Sequence, residues 1–347
     1  MKITVILCTY NRCHSLRRTL EGIALSILPD SVVWEVLVVD NNSSDQTREV
    51  VEDFSRRQPG RFRYLFEPEP GKSHALNSGI REALGEILAF TDDDVLVEPA
   101  WLRDLTAALD GDEWAGAAGR TLLQEGFSPP RWLSLKGQYV LAPFAMFDLG
   151  SVPGELHEAP FGNNMAFRKS IFQKYGGFRT DLGPRPGNMI RGEDTEFGCR
   201  LLAAGEPLRY ESSAVVYHQV NEDRIRKEYF LAWGFDHARA SIRIFGVQRG
   251  TKHYVAGVPL YLFRRLVVWT LRWVIAVDPG HRFHCKLKVW ARVGEIVECY
   301  QQSRAAIGQS GPLAGRRTSD PRCEGANNVV VKNSHESFAA DNGVRRD

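Results

Sequence analysis

Three consecutive carboxylates, Asp92, Asp93 and Asp94, directly follow an apolar segment at residues 86–90 that reads as a buried strand. Like charges this close repel one another unless a cation or water relieves the repulsion. Hard divalent cations such as Mg²⁺ and Mn²⁺ prefer carboxylate oxygens and leave coordination positions free for phosphate groups. The triplet is therefore a candidate site for a metal and a phosphorylated ligand, and a solvated acidic turn is the alternative.

A second acidic cluster, Glu193 and Asp194, leads into a predicted helix at residues 197–204. Carboxylates in the first turn of a helix are favoured by the helix dipole, so capping is the alternative to a chemical role. The chain has no GxGxxG after its first strand and no GxxxxGK[ST] anywhere. Nucleotide binding, if present, would therefore depend on side chains at strand ends.

The elements that must position these side chains alternate between strand and helix. Apolar segments rich in β-branched residues predict strands at 2–8, 34–39, 61–66 and 86–90, with helices between them. This alternation predicts an α/β fold with a mostly parallel sheet. Right-handed crossovers place the polar turns at one edge, where ligands of open α/β sheets collect. Residues 121–160 read as a long irregular loop, and short strands are expected at 115–119, 208–210 and 214–217.

The composition is that of an ordinary globular protein. The 347 residues are 43% hydrophobic and 25% charged. The formal net charge of +2 gives no reason to expect nucleic acid as a partner. The six cysteines form no CxxC pair and no zinc-finger spacing, which favours free thiols in a reducing cytosol. The amino terminus carries no secretory signal pattern, so a cytoplasmic location is expected.

The carboxyl-terminal part reads as helical, with helices at 222–245 and 261–277. The second helix is apolar but contains Arg264, Arg265 and Arg272, and such charges are incompatible with a bilayer-spanning segment. A basic amphipathic region at 257–292 could lie on an anionic membrane surface, at the inner face of the cell membrane. Packing of this helix on the catalytic domain is the alternative. Residues 303–347 read as a disordered tail.

Six segments together resemble motifs of the family 2 glycosyltransferases with the GT-A fold. They occur in the family's order at residues 4–12, 35–43, 70–79, 92–94, 162–168 and 192–194. The resemblance covers roughly residues 2–218. It implies a Rossmann-like α/β sandwich at residues 1–220, with a nucleotide-sugar half at 1–97 and an acceptor half at 98–220. The region 221–302 would add the carboxyl-terminal amphipathic helices.

The resemblance also implies roles for individual residues. In it, Asp94 holds Mn²⁺ or Mg²⁺ together with Asp92 and His218, although His218 could instead simply end a strand. Asp194 is the candidate base, since burial near other acids would raise its pKa, and Glu193 would orient it or contact the sugar. The nucleotide-sugar donor would contact Thr9, Tyr10, Asn11, Arg12, Asp40, Lys72, Asn77, Asp92 and Asp93, and the acceptor loop would comprise Gly162, Asn163 and Asn164.

The implied activity is metal-dependent, inverting transfer of one sugar from a nucleotide-diphosphate sugar, such as a UDP-sugar, to a glycan or lipid-linked acceptor. The sequence departs from the family at Asp40-Asn-Asn-Ser, where many members have Asp-Asp-Gly-Ser. It also lacks the QxxRW motif of processive synthases, which implies transfer of a single residue. The alternatives are a non-catalytic nucleotide-sugar-binding protein and a nucleotidyltransferase.

Overall fold

The computed structural model describes residues 2–308 except 125, 128–129, 131, 134–141, 221 and 249. Its amino-terminal half is a four-stranded parallel sheet in the order β3-β2-β1-β4. The elements are β1 (Lys2–Thr9), α1 (Cys13–Ala24), β2 (Val33–Asp40), α2 (Thr47–Arg57), β3 (Phe62–Phe66), α3 (Lys72–Glu82) and β4 (Ile87–Asp92). Because these strands run in one direction, the polar turns after them meet at one edge of the sheet.

The second half extends the same sheet in the order β4-β8-β6-β9-β5, with β7 paired to β9. Strand β8 is antiparallel to both of its neighbours, whereas β6 and β9 run parallel to each other. The elements are β5 (Val95–Val97), α4 (Trp101–Ala107), β6 (Gly116–Leu123), β7 (Gly154–Glu155), β8 (Asn164–Arg168), α5 (Lys169–Tyr175), α6 (Glu193–Ala203) and β9 (Leu208–His218). The predicted α/β fold with a mostly parallel central sheet is confirmed.

Two predicted boundaries in this half need correction. The short strands expected at 208–210 and 214–217 are one strand, β9, whose register against β6 shifts between Gly119 and Arg120. The region 121–160 is not uniformly irregular, because β6 continues to Leu123 and β7 lies within it. A short 3-10 helix at Ala142–Phe144 also falls there. Residues 125, 128–129, 131 and 134–141 of the predicted loop lie outside the described residues.

Apolar side chains cover both faces of the sheet, as near-continuous hydrophobic strands require. One face packs against α1, α2 and α4, and the other against α3, α5 and α6. On the second face the rings of Phe172 and Phe197 stack with centroids 4.7 Å apart and planes 4° apart. Phe197 lies in α6 and Phe172 in α5, so this contact joins the two helices, and an edge contact of Phe197 with Phe167 of β8 at 5.2 Å holds α6 against the sheet.

The carboxyl-terminal helices form a separate layer of packing. A 3-10 helix at Glu222–Ile225 leads into α7 (Lys227–Phe245), a small hairpin of β10 (Tyr254–Val255) and β11 (Val258–Pro259), α8 (Leu260–Ile275) and α9 (Pro279–Gly308). Helix α9 contacts both α7 and α8. Buried Glu298 on α9 accepts hydrogen bonds from Arg239 and Arg243 on α7.

Helix α9 continues to Gly308, past the tail boundary expected at residue 303. The remainder of the predicted tail, residues 309–347, lies outside the described residues. Within the described part of the chain, none of the helices is both long and apolar enough to span a membrane. The five cysteines there, Cys8, Cys13, Cys199, Cys285 and Cys299, form no disulfide bonds with one another.

Candidate active site

The acidic triplet sits at the carboxyl edge of the sheet. Asp92 is the last residue of β4, and Asp93 and Asp94 form the turn into β5. Strand β5 pairs with the end of β9, so that Val95 lies opposite His218. This pairing brings the His218 Nε2 atom to 3.5 Å from Asp94 Oδ1. Two of the three predicted metal ligands therefore meet, because an antiparallel strand from the second half ends beside the triplet.

Two arginines neutralise Asp94. Its Oδ2 accepts hydrogen bonds from Arg224 Nη2 at 2.6 Å and from Arg12 Nη1 at 3.1 Å. Burial alone would raise the pKa of Asp94, but the positive charges of Arg224 and Arg12 beside it hold that pKa well below its usual range. Arg224, on the 3-10 helix after β9, also lies 2.7 Å from His218 Nε2. No motif in the sequence points to Arg224 as a site residue.

Asp93 attaches the first polar loop to the triplet. Thr9 Oγ1 donates to Asp93 Oδ2 at 2.8 Å, and Arg12 Nη1 donates to Oδ1 at 3.0 Å. Burial raises the pKa of Asp93 to about 6, and the neighbouring charge of Asp94 adds to this effect while Arg12 opposes it. Asp93 faces the loop at 9–12.

Lys72 connects the two acidic clusters. Its ammonium group lies 2.7 Å from Asp92 Oδ1 and 3.6 Å from Glu193 Oε1. Burial alone would lower the pKa of Lys72, but the charges of Asp92, Glu193 and Asp194 raise it above its ordinary value. Lys72 is therefore held as a cation between carboxylates that are far apart in sequence.

Asn41 positions the start of α3, where Lys72 lies. Asn41 Oδ1 accepts the backbone N–H of Gly71 at 2.7 Å, and its Nδ2 donates to the carbonyl of Glu69 at 2.7 Å. Gly71 has φ +141°, a backbone conformation that favours glycine. Asn41 follows predicted Asp40 directly, yet the sequence analysis did not single it out. An asparagine directly after a parallel strand is a candidate site residue, and this feature of the sequence could have identified Asn41.

The second cluster begins α6. Gly192 has φ +104° immediately before the helix. Asp194 Oδ2 accepts the backbone N–H of Gly162 at 2.7 Å, and Oδ1 accepts the backbone N–H of Thr195 at 2.7 Å. Glu193 is buried, and burial, helped by the charge of Asp194 and opposed by Lys72, raises its pKa. The Oε2 atom of Glu193 has no hydrogen-bond partner among the described residues.

A cleft of about 380 Å³ contains most of the predicted residues. Its lining includes Thr9, Tyr10, Arg12, Lys72, Asp92, Asp93, Asp94, Gly162, Asn163, Glu193, Asp194 and His218. Asn11 lines a smaller adjoining pocket with Arg12 and Asp94, and its Oδ1 accepts the backbone N–H of Ser44. Both acidic clusters thus face the same space.

Besides Asn11, three predicted residues do not line this cleft. Asp40 is buried and accepts hydrogen bonds from Tyr64 Oη at 2.8 Å and the Ser43 backbone at 2.9 Å. Asn77 exchanges two hydrogen bonds of 2.8 Å with the backbone of Phe178. The buried Asn164 side chain bonds Trp101 Nε1 and the carbonyl oxygens of Arg120 and Ala214. Their amide and carboxylate groups hold the fold around the cleft.

The far end of the cleft was not foreseen from sequence. Trp233 and His237 on α7 stack with ring centroids 4.5 Å apart and planes 11° apart. Arg185 and Arg191, from the loop before α6, line the cleft as well, and burial together with the charge of Arg191 lowers the pKa of His237. Neither guanidinium forms an ion pair with a residue of the described ranges. The i, i+4 spacing of Trp233 and His237 was the sequence signal, because it puts both rings on one helix face.

The mostly parallel sheet, with carboxylates at its strand ends, has the GT-A fold of glycosyltransferases. More particularly, the chain belongs to glycosyltransferase family 2. The sequence model described as "Glycosyl transferase family 2" matches residues 4–176. The match includes the acidic triplet and the loop at 162–164, and it ends before the second acidic cluster.

Two curated proteins illustrate this kinship. YdaM of Bacillus subtilis, described as a probable glycosyltransferase, is 28% identical over 237 residues, which cover 64% of this chain and 51% of that protein. This chain therefore aligns with about half the length of YdaM. The glucosyl-dolichyl phosphate glucuronosyltransferase of Haloferax volcanii is 24% identical over 244 residues, covering 68% of this chain and 74% of that protein.

Among solved structures, the mannosyltransferase PcManGT from Pyrobaculum calidifontis, in complex with GDP-Man and Mn²⁺, superposes with a TM-score of 0.53. The superposition covers 97% of this chain and 81% of that protein at 20% sequence identity. This likeness establishes the fold. The nucleotide sugar and the metal are properties of PcManGT.

Proposed function

We propose that this glycosyltransferase moves one hexose-like sugar from a nucleotide-diphosphate sugar, such as a UDP-sugar, to a hydroxyl of a glycan or lipid-linked acceptor, with inversion at the anomeric carbon. The products would serve polysaccharide or glycolipid synthesis. The observation that carries the proposal is the position of Lys72, between Asp92 and Glu193 at 2.7 and 3.6 Å. It joins the two acidic clusters across one cleft.

The donor is bound by the loop at residues 9–12 and by Lys72. Thr9 and Arg12 are attached to Asp93, so the loop has a defined position before the donor arrives. Tyr10 is 43% exposed and lines the cleft, which makes its ring available to the nucleoside. The Lys72 ammonium offsets the negative charge of the diphosphate. Asp40 acts from behind the loop, through its hydrogen bond with the Ser43 backbone.

The residues present fit a divalent cation. Asp94 offers a buried carboxylate, His218 offers a ring nitrogen 3.5 Å away, and the pair is already bridged by a positive group, Arg224. Among the described residues no group of three or more His, Cys, Asp or Glu side chains has metal-binding geometry. Asp94 and His218 would therefore be joined by phosphate oxygens as ligands, as is usual for Mg²⁺. When bound, Mn²⁺ or Mg²⁺ stabilises the diphosphate leaving group as a Lewis acid.

Asp194 accepts the proton of the attacking acceptor hydroxyl. The acceptor oxygen forms a bond to the anomeric carbon as the bond from that carbon to the diphosphate oxygen breaks, and the proton moves to the Asp194 carboxylate. The backbone N–H groups of Gly162 and Thr195 hold both carboxylate oxygens in place at 2.7 Å. Glu193, which faces Lys72, contributes by fixing that ammonium beside the diphosphate rather than by orienting Asp194.

The acceptor occupies the end of the cleft nearest α7. Trp233 provides a flat aromatic surface that can pack against a sugar ring, and Arg191, which lies close to His237, provides positive charge for an anionic group such as a lipid phosphate. The loop at Gly162 and Asn163 lines the same cleft, and Gly162 contacts the base, Asp194. The similarity to an archaeal enzyme named for a dolichyl phosphate substrate supports a lipid-linked acceptor.

Helix α8 supplies a surface for an anionic membrane. Its exposed side chains recur at helical spacing and are mostly apolar: Leu260, Val267, Val268, Leu271, Val274 and Ile275. Arg264, Arg265 and Arg272 are also exposed, and the helix contains no acidic residue. An apolar stripe flanked by arginines matches the depth profile of a bilayer with anionic head groups. A lipid-linked acceptor would lie in the same bilayer.

Product analysis tests the proposed reaction. Purified protein is incubated with UDP- and GDP-sugars, Mn²⁺ and a set of polyprenyl-phosphate and oligosaccharide acceptors. A glycosyltransferase releases nucleoside diphosphate and forms a product whose anomeric configuration is opposite to that of the donor. Release of pyrophosphate would instead identify a nucleotidyltransferase. Tight donor binding with no turnover on any acceptor would favour a non-catalytic binding protein.

A further inference from the structure

The Arg224 guanidinium occupies the electron pairs that a metal would need. Its Nη2 donates to Asp94 Oδ2 at 2.6 Å, and its Nη1 lies 2.7 Å from His218 Nε2. Because a guanidinium can only donate hydrogen bonds, Nε2 must be the acceptor in this contact. The proton of the ring then sits on Nδ1, which has no hydrogen-bond partner among the described residues. Arg224 and a divalent cation therefore cannot share these two atoms.

The arrangement needs a cation. With Nε2 acting as an acceptor, Nε2 and Asp94 Oδ1 are two acceptor atoms 3.5 Å apart, and their side chains are 2% and 4% exposed. Buried acceptors at this distance repel each other unless a positive group bridges them. The planar fork of Arg224, which is itself 17% exposed, provides that bridge in the described structure.

We propose that Arg224 is a resident counter-ion that holds Asp94 and His218 ready and exchanges with the divalent cation when the nucleotide sugar binds. This inference rests on the proposed metal-dependent transfer. Once displaced, the guanidinium is free to donate in bidentate fashion to the diphosphate oxygens, its best available partner in the cleft. Lys72 already contacts Asp92 Oδ1 and Glu193 Oε1.

Arg224 is placed so that this exchange needs little rearrangement. It lies in a single turn of 3-10 helix, Glu222–Ile225, between the end of β9 and the start of α7. Its ion pair with Asp94 joins that segment to the catalytic sheet. Metal binding breaks the contacts of Arg224 with Asp94 and His218, and the bound diphosphate gives the guanidinium new partners. The binding of metal and the binding of nucleotide are therefore positively coupled.

Metal binding without turnover provides the test. Free Mn²⁺ is measured by electron paramagnetic resonance in titrations of wild type, Arg224→Ala and Arg224→Gln, each with and without UDP or GDP. Without nucleotide, both variants are expected to bind Mn²⁺ about tenfold or more tightly than wild type, since no guanidinium competes. The gain in Mn²⁺ affinity on adding nucleotide is expected to be smaller in the variants, because the diphosphate no longer gains a guanidinium.

Arg226→Gln is the matched control, because Arg226 directly follows the 3-10 turn of Arg224 but forms an exposed pair with Asp223. It should bind Mn²⁺ as wild type does. Asp94→Asn should lose Mn²⁺ binding in all conditions. If wild type binds Mn²⁺ with nucleotide but the two Arg224 variants bind it no more tightly in its absence, the exchange is wrong while metal-dependent transfer stands. If wild type binds no Mn²⁺ even with nucleotide, both proposals fall.

Discussion

Gly162 donates its backbone N–H to Oδ2 of Asp194 at 2.7 Å, across a separation of 32 residues in the chain. A β-carbon at Gly162 would lie 3.1 Å from the same oxygen, so glycine is the residue type that permits this close approach. The loop at residues 162–164 thus fixes the position of the carboxylate proposed as base. The hydrogen bond joins the motifs at residues 162–168 and 192–194. The sequence gives their order along the chain but not their distance in space.

The first prediction concerns Asp194. Asp194→Asn is expected to lower kcat by about 10²–10⁴-fold, the range of a general base, because an amide cannot accept the proton. The dissociation constant of UDP should change little, since the proposed donor contacts are Lys72 and the loop at 9–12. The control is Glu196→Gln in the same helical turn, where Glu196 pairs with Arg200. Wild-type turnover by Asp194→Asn would refute the assignment.

The second prediction concerns Lys72. Lys72→Gln removes the cation between Asp92 and Glu193, and the affinity for nucleoside diphosphate should fall about 10–100-fold, as expected for a hydrogen bond between charged groups. Calorimetric titration with UDP and GDP measures this loss. Lys174→Gln is the matched control, because Lys174 pairs with Glu206 on the exposed side of α5. Equal nucleotide affinity in wild type and Lys72→Gln would remove Lys72 from the donor site.

The third prediction concerns the membrane surface of α8. Wild type is expected to co-sediment with phosphatidylserine vesicles and less with phosphatidylcholine vesicles. Arg264→Gln combined with Arg265→Gln should lower binding to the anionic vesicles about tenfold or more, at about 1 kcal/mol per arginine. Leu271→Glu should reduce binding to both vesicle types, because that side chain is 58% exposed within the apolar stripe.

Val152→Glu is the control for these vesicle measurements, since Val152 is a 77% exposed apolar residue outside α8. It should bind vesicles as wild type does. Equal binding of wild type to both vesicle types would contradict the role of the arginines. A concentration-dependent dimer in sedimentation without lipid, abolished by Leu271→Glu, would assign the stripe to a second copy of the chain instead.

The fourth prediction separates scaffold from site at Asn77. Asn77→Ala leaves the backbone N–H and C=O of Phe178 without their partner and should lower the free energy of unfolding by about 1–3 kcal/mol. The KM for the donor should stay within about threefold of wild type, as for residues distant from the ligand. Gln302→Ala, an exposed amide, should change stability by less than about 0.5 kcal/mol. If Asn77→Ala raised the KM for the donor strongly but kept wild-type stability, Asn77 would be a donor-binding residue rather than part of the scaffold.

The fifth prediction is a pH dependence at Glu35. Burial alone would raise the pKa of Glu35, but hydrogen bonds from Arg63, Leu84 and Thr4 hold it below its ordinary value of 4.5. The carboxylate therefore adds stability at neutral pH, and that contribution is lost as pH falls below 4.5 and the group takes up a proton. Glu35→Gln should lower the free energy of unfolding by about 1–3 kcal/mol at pH 7.

Denaturant unfolding from pH 7 down to pH 3 measures this effect. The difference between wild type and Glu35→Gln should shrink as pH falls, because protonated Glu35 and glutamine are both neutral. Exposed Glu82 lies close to this network in sequence, and Glu82→Gln should show a small difference at every pH. A difference that stays constant with pH would mean that Glu35 acts through packing rather than through its charge.

Residue types and local order were enough to predict the parallel half of the sheet and the position of the acidic triplet. Strands β1 to β4 are continuous apolar segments, and polar turns after parallel strands must share one edge. The second acidic cluster was recognisable for a similar reason, since Glu193 and Asp194 begin a helix just after Gly192. These features depend on neighbours in the chain.

Long-range contacts account for the rest. Strand β8 enters antiparallel between β4 and β6, and the sequence contains no local signal for that choice. Asp40 and Asn77 have the same residue types as ligand-binding groups, and only their partners, Tyr64 and Phe178, reveal a scaffold role. In the sequence Arg224 cannot be distinguished from a surface arginine. The pairing of β9 with β5 places it beside Asp94, to which it donates a hydrogen bond. The pairing of each carboxylate with a basic side chain depends on distances between segments that are far apart in the sequence. Residue order alone does not give those distances.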